Sequence, residues 1–169
     1  MVKKEMFESR LERSQGFSAE SISDEKEFQA QKQIILNCLK DLLYSEADFV
    51  LLFGSWSGEG KRVTARSDVD CGVYFKQVPS LEHLYSDIPE TFRARIGRKL
   101  DIICLNTADI IIANQIIRTG ERVFVNSEDA LVCFSAQVMS RYVDFKQSRK
   151  IIEESILVRP VDGFRSNAT

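Results

Sequence analysis

The sequence predicts one α/β (α+β) domain, a small sheet covered by helices with a long helix at the C-terminal end. Three observations carry that prediction. Apolar runs of strand length at Asp48 to Phe53, Cys71 to Phe75 and Lys99 to Leu105 alternate with longer stretches whose apolar residues recur every three or four positions. A chain of 169 residues is long enough to bury a core without disulfide or metal staples. Its 44% hydrophobic and 28% charged residues are an ordinary globular balance, neither disordered nor membranous.

Residues 1–25 are polar and serine-rich, and are expected to form a mobile extension or a loosely docked helix with no chemistry of its own. Between Asp24 and Tyr44, the residues Phe28, Ile34, Ile35, Cys38, Leu39, Leu42 and Leu43 mark an amphipathic helix that covers the sheet. Asp48 to Phe53 is apolar on both faces, which places that strand inside the sheet rather than at its edge. After the second strand, Leu81, Leu84, Tyr85, Ile88 and Phe92 follow helical spacing, and Pro89 is expected to interrupt any single long helix there. Thr107 is expected to cap a helix through Ile110 to Ile117 that Gly120 ends. Arg122 to Val125 reads as a short fourth strand, and Ser127-Glu128-Asp129 caps a final helix carrying Leu131, Phe134, Val138, Tyr142 and Phe145 to about Leu157. Its far half, Lys146 to Glu154, fits either a solvated end or an interface. The domain proper is expected over residues 26–158, with a polar tail from Arg159 to Thr169.

A formal net charge of -2 supplies no general basic field for nucleic acid, so partners have to be read from local sites. Cys38, Cys71, Cys104 and Cys133 stand singly among apolar neighbours, with no CxxC pair. They are expected to be buried thiols in a reducing compartment. The N-terminus leads into charged residues, and no apolar stretch approaches membrane-spanning length, so a cytoplasmic protein is expected.

The chemistry concentrates where the first strand ends. Val50-Leu51-Leu52-Phe53-Gly54-Ser55 is followed, after a polar loop, by Ser67-Asp68-Val69-Asp70. Residues two apart on a strand share a face, so Asp68 and Asp70 aim both carboxylates at one point while Val69 faces the core. Two hard oxygen ligands so placed suit Mg2+, which keeps its other positions for water and substrate phosphates. Gly54 lets a ligand approach the backbone, and Ser55 offers a hydroxyl and an N–H where a helix would start. Asp101 is the one acid in the third apolar run. A carboxylate there is costly to bury unless paired or metal-bound, which makes it the natural third ligand if its strand lies beside the second.

The loop carrying Gly58, Gly60, Lys61, Arg62 and Arg66 sets positive charge beside this site, or is a solvated turn. Trp56 either stacks on a nucleobase or packs. The stretch from Gly54 to Lys61 is not a Walker A loop. Five residues rather than four separate Gly54 from Gly60, and Arg62 stands where Ser or Thr should hold Mg2+. His83 has no partner Cys or second His, and is given no catalytic role.

Leu52-Phe53-Gly54-Ser55, Ser67-Asp68-Val69-Asp70 and Leu100-Asp101-Ile102 together resemble the minimal nucleotidyltransferase group of the DNA polymerase β superfamily. Leu105-Asn106, Gly120-Glu121-Arg122-Val123-Phe124 and Arg141-Tyr142-Val143-Asp144-Phe145 are similar to the antitoxin members of HEPN/MNT toxin-antitoxin pairs. The likeness spans about Asp48 to Glu154. It implies a nucleotidyltransferase fold with a mixed sheet, and transfer of AMP from ATP to a tyrosine of a HEPN ribonuclease toxin. By position, Asp68, Asp70 and Asp101 would be the catalytic and metal-binding acids for two Mg2+, with Asp101 helping to deprotonate the acceptor. Gly54 and Ser55 would hold the triphosphate. Trp56 and Ser57 stand where the family has basic residues, which passes part of that role to Lys61, Arg62 or Arg66.

Two other readings share these residues. One is transfer to a small-molecule acceptor of the aminoglycoside kind, for which the chain has little sequence left to build an acceptor domain. The other is an antitoxin that neutralises its partner by covering it.

Overall fold

Four strands form a single sheet in the order β3-β2-β1-β4. They are β1 (Ala47–Phe53), β2 (Val69–Phe75), β3 (Leu100–Cys104) and β4 (Glu121–Val125). In the computed structural model, which describes residues 25–58, 63–64 and 67–157, β1 pairs antiparallel with both β2 and β4, and β2 pairs parallel with β3. The sheet is therefore mixed, with β1 inside it. The expected extension before Glu25, the tail from Arg159, and Gly60, Lys61, Arg62 and Arg66 lie outside the described residues.

Strand alternation divides the core between the two faces of the sheet. One face carries Val50, Leu52, Val69, Cys71, Val73, Leu100 and Ile102. It is covered by α1 (Glu25–Leu43), through Phe28, Ile35, Leu39 and Leu43, and by α2 (Ile88–Ile96), through Phe92. The opposite face carries Phe49 and Leu51, and packs against Ile116 of α3 (Ile110–Thr119) and Leu131 of α4 (Glu128–Leu157). Gly72 sits on this second face. A Cβ there would fall 2.8 Å from the Ile116 Cγ2, so α3 rests directly on the β2 backbone.

Several local expectations are corrected. Ile34 lies on the solvent side of α1, at 58% exposure, and its place on the buried face is taken by Lys32. Pro89 does not break the helix. A π-helical turn over His83–Asp87 runs directly into α2, and the wider turn accommodates the proline's missing N–H. Asp109, not Thr107, is the N-cap of α3, its carboxylate accepting from the Ile111 N–H at 2.8 Å. Cys133 is exposed, unlike the other three thiols.

The Ser127 hydroxyl caps α4 by accepting from the Ala130 N–H at 3.1 Å. Only the first half of α4 buries its apolar stripe. Leu131 and Val138 are covered, whereas Phe145, Ile151 and Ile152 are exposed, so the helix continues past the core. Among the described residues no helix is long and apolar enough to cross a membrane.

Candidate active site

The end of the sheet where β1 finishes and β2 and β3 begin is left open by α3. Asp70 lies two residues before Gly72, so it shares the face that α3 covers but stands beyond the point where the helix rests. The parallel register pairs Asp70 directly with Asp101, bringing the two carboxylates side by side on that face. Asp68 immediately precedes β2 rather than lying within it.

These three acids act on one another. Burial raises the Asp70 carboxyl above its ordinary range, and the negative charges of Asp101 and Asp68 push in the same direction, while Lys99 partly offsets them. The Lys99 ammonium donates to Asp101 Oδ1 at 2.7 Å and lies 3.9 Å from Asp68 Oδ2. Its hydrogen bond to Asp101 raises its own proton affinity.

The glycine-serine corner closes the site from the β1 side. Phe53 is the register partner of Asp70, and Gly54 turns away from the strand with φ of +73°. A Cβ on Gly54 would fall 2.3 Å from Asp70 Oδ2, so any other residue there would force the carboxylate or the corner to shift. The expected helix start at Ser55 is a single 3-10 turn, Gly54–Trp56, in which the Gly54 carbonyl accepts from the Ser57 hydroxyl at 2.9 Å. Ser55 itself is half-buried.

Trp56 packs rather than waiting for a base. It is fully buried and stacked on Phe28, with ring centroids 5.6 Å apart and planes inclined by 17°. The Arg98 guanidinium lies 4.8 Å from the indole and donates to the carbonyls of Thr64 and Ser67 and to Gln31 Oε1. Buried Lys32 pairs with Glu121 at 2.5 Å and reaches the Gly58 carbonyl at 3.4 Å. Both ends of the loop between the corner and Asp68 are thereby tied to α1, which holds the corner and the acids in fixed relation.

The structure thus brings together Gly54, Asp68, Asp70 and Asp101, with Ser55 in the adjoining turn. Lys61 and Arg66 lie outside the described residues. His83 is remote in role, its ring bridging Asp87 at 3.2 Å and Glu46 at 3.1 Å on the surface. Among the described residues no three His, Cys, Asp or Glu side chains stand as a ready-made cage for an ion. The donor set nevertheless fits a hard divalent cation. It consists of carboxylate oxygens gathered around a positive charge, with Asp70 disfavoured as an anion until such charge arrives. Sequence reasoning missed Lys99 and Arg98. Lys99 was legible as a cation two positions before Asp101, on the same side by strand periodicity.

The family model described as "Polymerase beta, Nucleotidyltransferase" matches residues 30–129, more than half of the 169. A search of curated proteins finds no match. Solved structures share the fold. A chain from a toxin-antitoxin crystallised with AMP-PNP superposes with a TM-score of 0.62 at 18% identity, covering 73% of this chain and 98% of that one. A chain from the toxin-antitoxin MntA-HepT gives 0.59 at 16% identity, covering 75% and 99%. One from the tri-AMPylated Shewanella oneidensis HEPN toxin in complex with MNT antitoxin gives 0.58 at 16%, covering 78% and 99%.

Proposed function

The chain belongs to the polymerase beta nucleotidyltransferase family, and on that premise we propose that it transfers AMP from ATP to a tyrosine hydroxyl of a partner HEPN toxin, neutralising it. The observation that carries this reading is the Asp70–Asp101 register with the Gly54 backbone held against the Asp70 carboxylate. Such a site takes phosphates at its glycine corner and an acceptor beside its outermost acid. Structures of the same fold support the choice of nucleotide and acceptor, one crystallised with AMP-PNP and another containing a tri-AMPylated HEPN toxin with its MNT antitoxin.

In this reading the backbone at Gly54 and Ser55 receives the triphosphate, and Asp68, Asp70 and Asp101 hold Mg2+. The metal, when bound, would neutralise charge developing on the α-phosphate and on the leaving pyrophosphate. The acceptor oxygen attacks the α-phosphorus, the bond to the bridging oxygen breaks, and pyrophosphate departs on the opposite side. Asp101, on the edge strand β3, takes the acceptor proton. The Trp56 and Arg98 anchors keep the corner from drifting, since a misplacement of about 1 Å costs on the order of 100-fold in rate. Lys61 and Arg66 are proposed to add charge to the triphosphate clamp.

Incubation with labelled ATP, Mg2+ and the product of the neighbouring gene is expected to label that protein on tyrosine. Replacing Asp68 and Asp70 by Asn should abolish the label while leaving the circular dichroism unchanged. Absence of label from the folded wild type would sink the reading. A second reading, neutralisation by covering, has in its favour the exposed apolar residues Val132, Met139 and Val143 on α4. Rescue of toxicity by the doubly substituted protein would favour it.

A further inference from the structure

Three acidic groups crowded at the end of a sheet repel one another, and metal-free protein must live with that repulsion. The side chain that relieves it is Lys99. Its ammonium hydrogen-bonds Asp101 at 2.7 Å and reaches to within 3.9 Å of Asp68, so a single positive charge spans carboxylates from two different strand ends. Lys99 itself is 61% exposed at its side chain and carried on a flexible four-carbon stem. A groove of about 560 Å³ runs along the open edge of β3 from this point, lined by Lys99, Asp101, Glu90 and Arg93, so the side chain has room to leave.

We propose that Lys99 is the acid cluster's own counter-cation, occupying the space between Asp101 and Asp68 that a divalent ion would take, so that metal loading has to displace it. The inference rests on the transferase reading for the identity of the metal, and on Lys99 alone for the competition. A divalent ion arriving with only water must displace the ammonium unaided. One arriving on a nucleoside triphosphate brings phosphate oxygens as further ligands, and so displaces it more readily. Lys99 therefore makes metal binding and nucleotide binding depend on each other. Lys99 is in these terms a positioning residue.

The test is Mn2+ binding to nucleotide-free protein, read from the electron paramagnetic resonance of free Mn2+ at low salt. Lys99→Gln and Lys99→Met are expected to bind Mn2+ on the order of 3- to 10-fold more tightly than wild type, the size expected from removing one positive charge a few ångströms from the ion. Lys99→Arg, which keeps the charge, should stay within about 2-fold of wild type. Lys76→Gln, which removes a lysine bonded to the Ser45 carbonyl, controls for net charge and should leave the affinity unchanged. In EDTA the two neutral Lys99 variants should melt below wild type, and Mn2+ should raise their melting temperatures more than it raises that of wild type. Equal or weaker Mn2+ binding by the neutral variants overturns the proposal and leaves the transferase reading standing. Equal tightening in Lys76→Gln also overturns it, as an effect of net charge. No Mn2+ bound by any natively folded form overturns this proposal and the metal-dependent reading together.

Discussion

Gly54 and Asp70 are in direct apposition, the glycine Cα facing the carboxylate so closely that a methyl group between them would lie 2.3 Å from Oδ2. The left-handed φ of +73° adds a second requirement for glycine at the same position. The space between the corner and the acid is thus closed to any side chain at position 54 unless one of the two moves.

Gly54→Ala is expected to lose about 1–3 kcal/mol from backbone strain alone. It should also push the Asp70 carboxylate away from its place beside Asp101. Transfer should fall by roughly 100-fold or more, because a shift of about 1 Å at a reacting group has that effect. Thermal melting and initial rates measure the two losses separately. A variant with wild-type rates would show that the corner does not set the position of Asp70.

Asp70 is predicted to be a residue that function retains against stability. Its carboxyl is raised, first by burial and then by Asp101 and Asp68, so the folded protein binds this proton more tightly than the unfolded chain. Below the ordinary value of 3.8 the group is neutral in both states and costs nothing, and stability falls as pH rises through the raised folded value. In EDTA, Asp70→Asn should therefore melt higher than wild type at neutral pH, with the gap closing towards about pH 4. Transfer should be lost. A lower melting temperature at neutral pH would contradict the raised carboxyl.

Trp56 separates packing from polarity. Its ring is fully buried against Phe28, yet its Nε1 has no hydrogen-bond partner among the described residues. Trp56→Ala should cost about 3–5 kcal/mol by opening a cavity beneath the loop. Trp56→Phe should cost much less, because it gives up a buried donor that was unsatisfied while keeping an aromatic face for Phe28 and Arg98. Chemical denaturation of both variants checks the ranking. Equal losses would mean that the indole N–H does have a partner.

The sheet and its acids were legible because period-two alternation is a local signal. Asp70 and Asp101 each interrupt an apolar strand, and an acid in such a run has to face a partner. Strand order was less so. That β3 lies beside β2 entered the sequence reading as a condition, since parallel pairing across the intervening π-turn and α2 is a long-range fact. Lys32 and Ile34 were misjudged on α1 for a related reason. Helical spacing puts both near the boundary of the buried face, and the buried cation is stabilised by Glu121, 89 positions away. The Thr107 cap failed on competition between two good candidates, Asp109 standing two residues closer to the helix. Lys99 and Arg98 escaped notice because their roles are defined by what they reach, not by any pattern in their own segment.

α3 rests on β2 at Gly72, where the Ile116 Cγ2 would lie 2.8 Å from an added Cβ, two residues along the strand from Asp70. Gly72→Ala should overpack the contact and cost about 1–3 kcal/mol. Ile116→Ala, removing a fully covered side chain, should cost about 2–5 kcal/mol by itself. If the two clash directly, the double variant loses less than the two single losses added together, because the alanine methyl at position 72 moves into space that Ile116 vacated. Denaturant titration of the four proteins gives the coupling. Strict additivity would mean that the helix is positioned by α4 and not by the glycine, and that the opening over Asp70 is set from the helical layer.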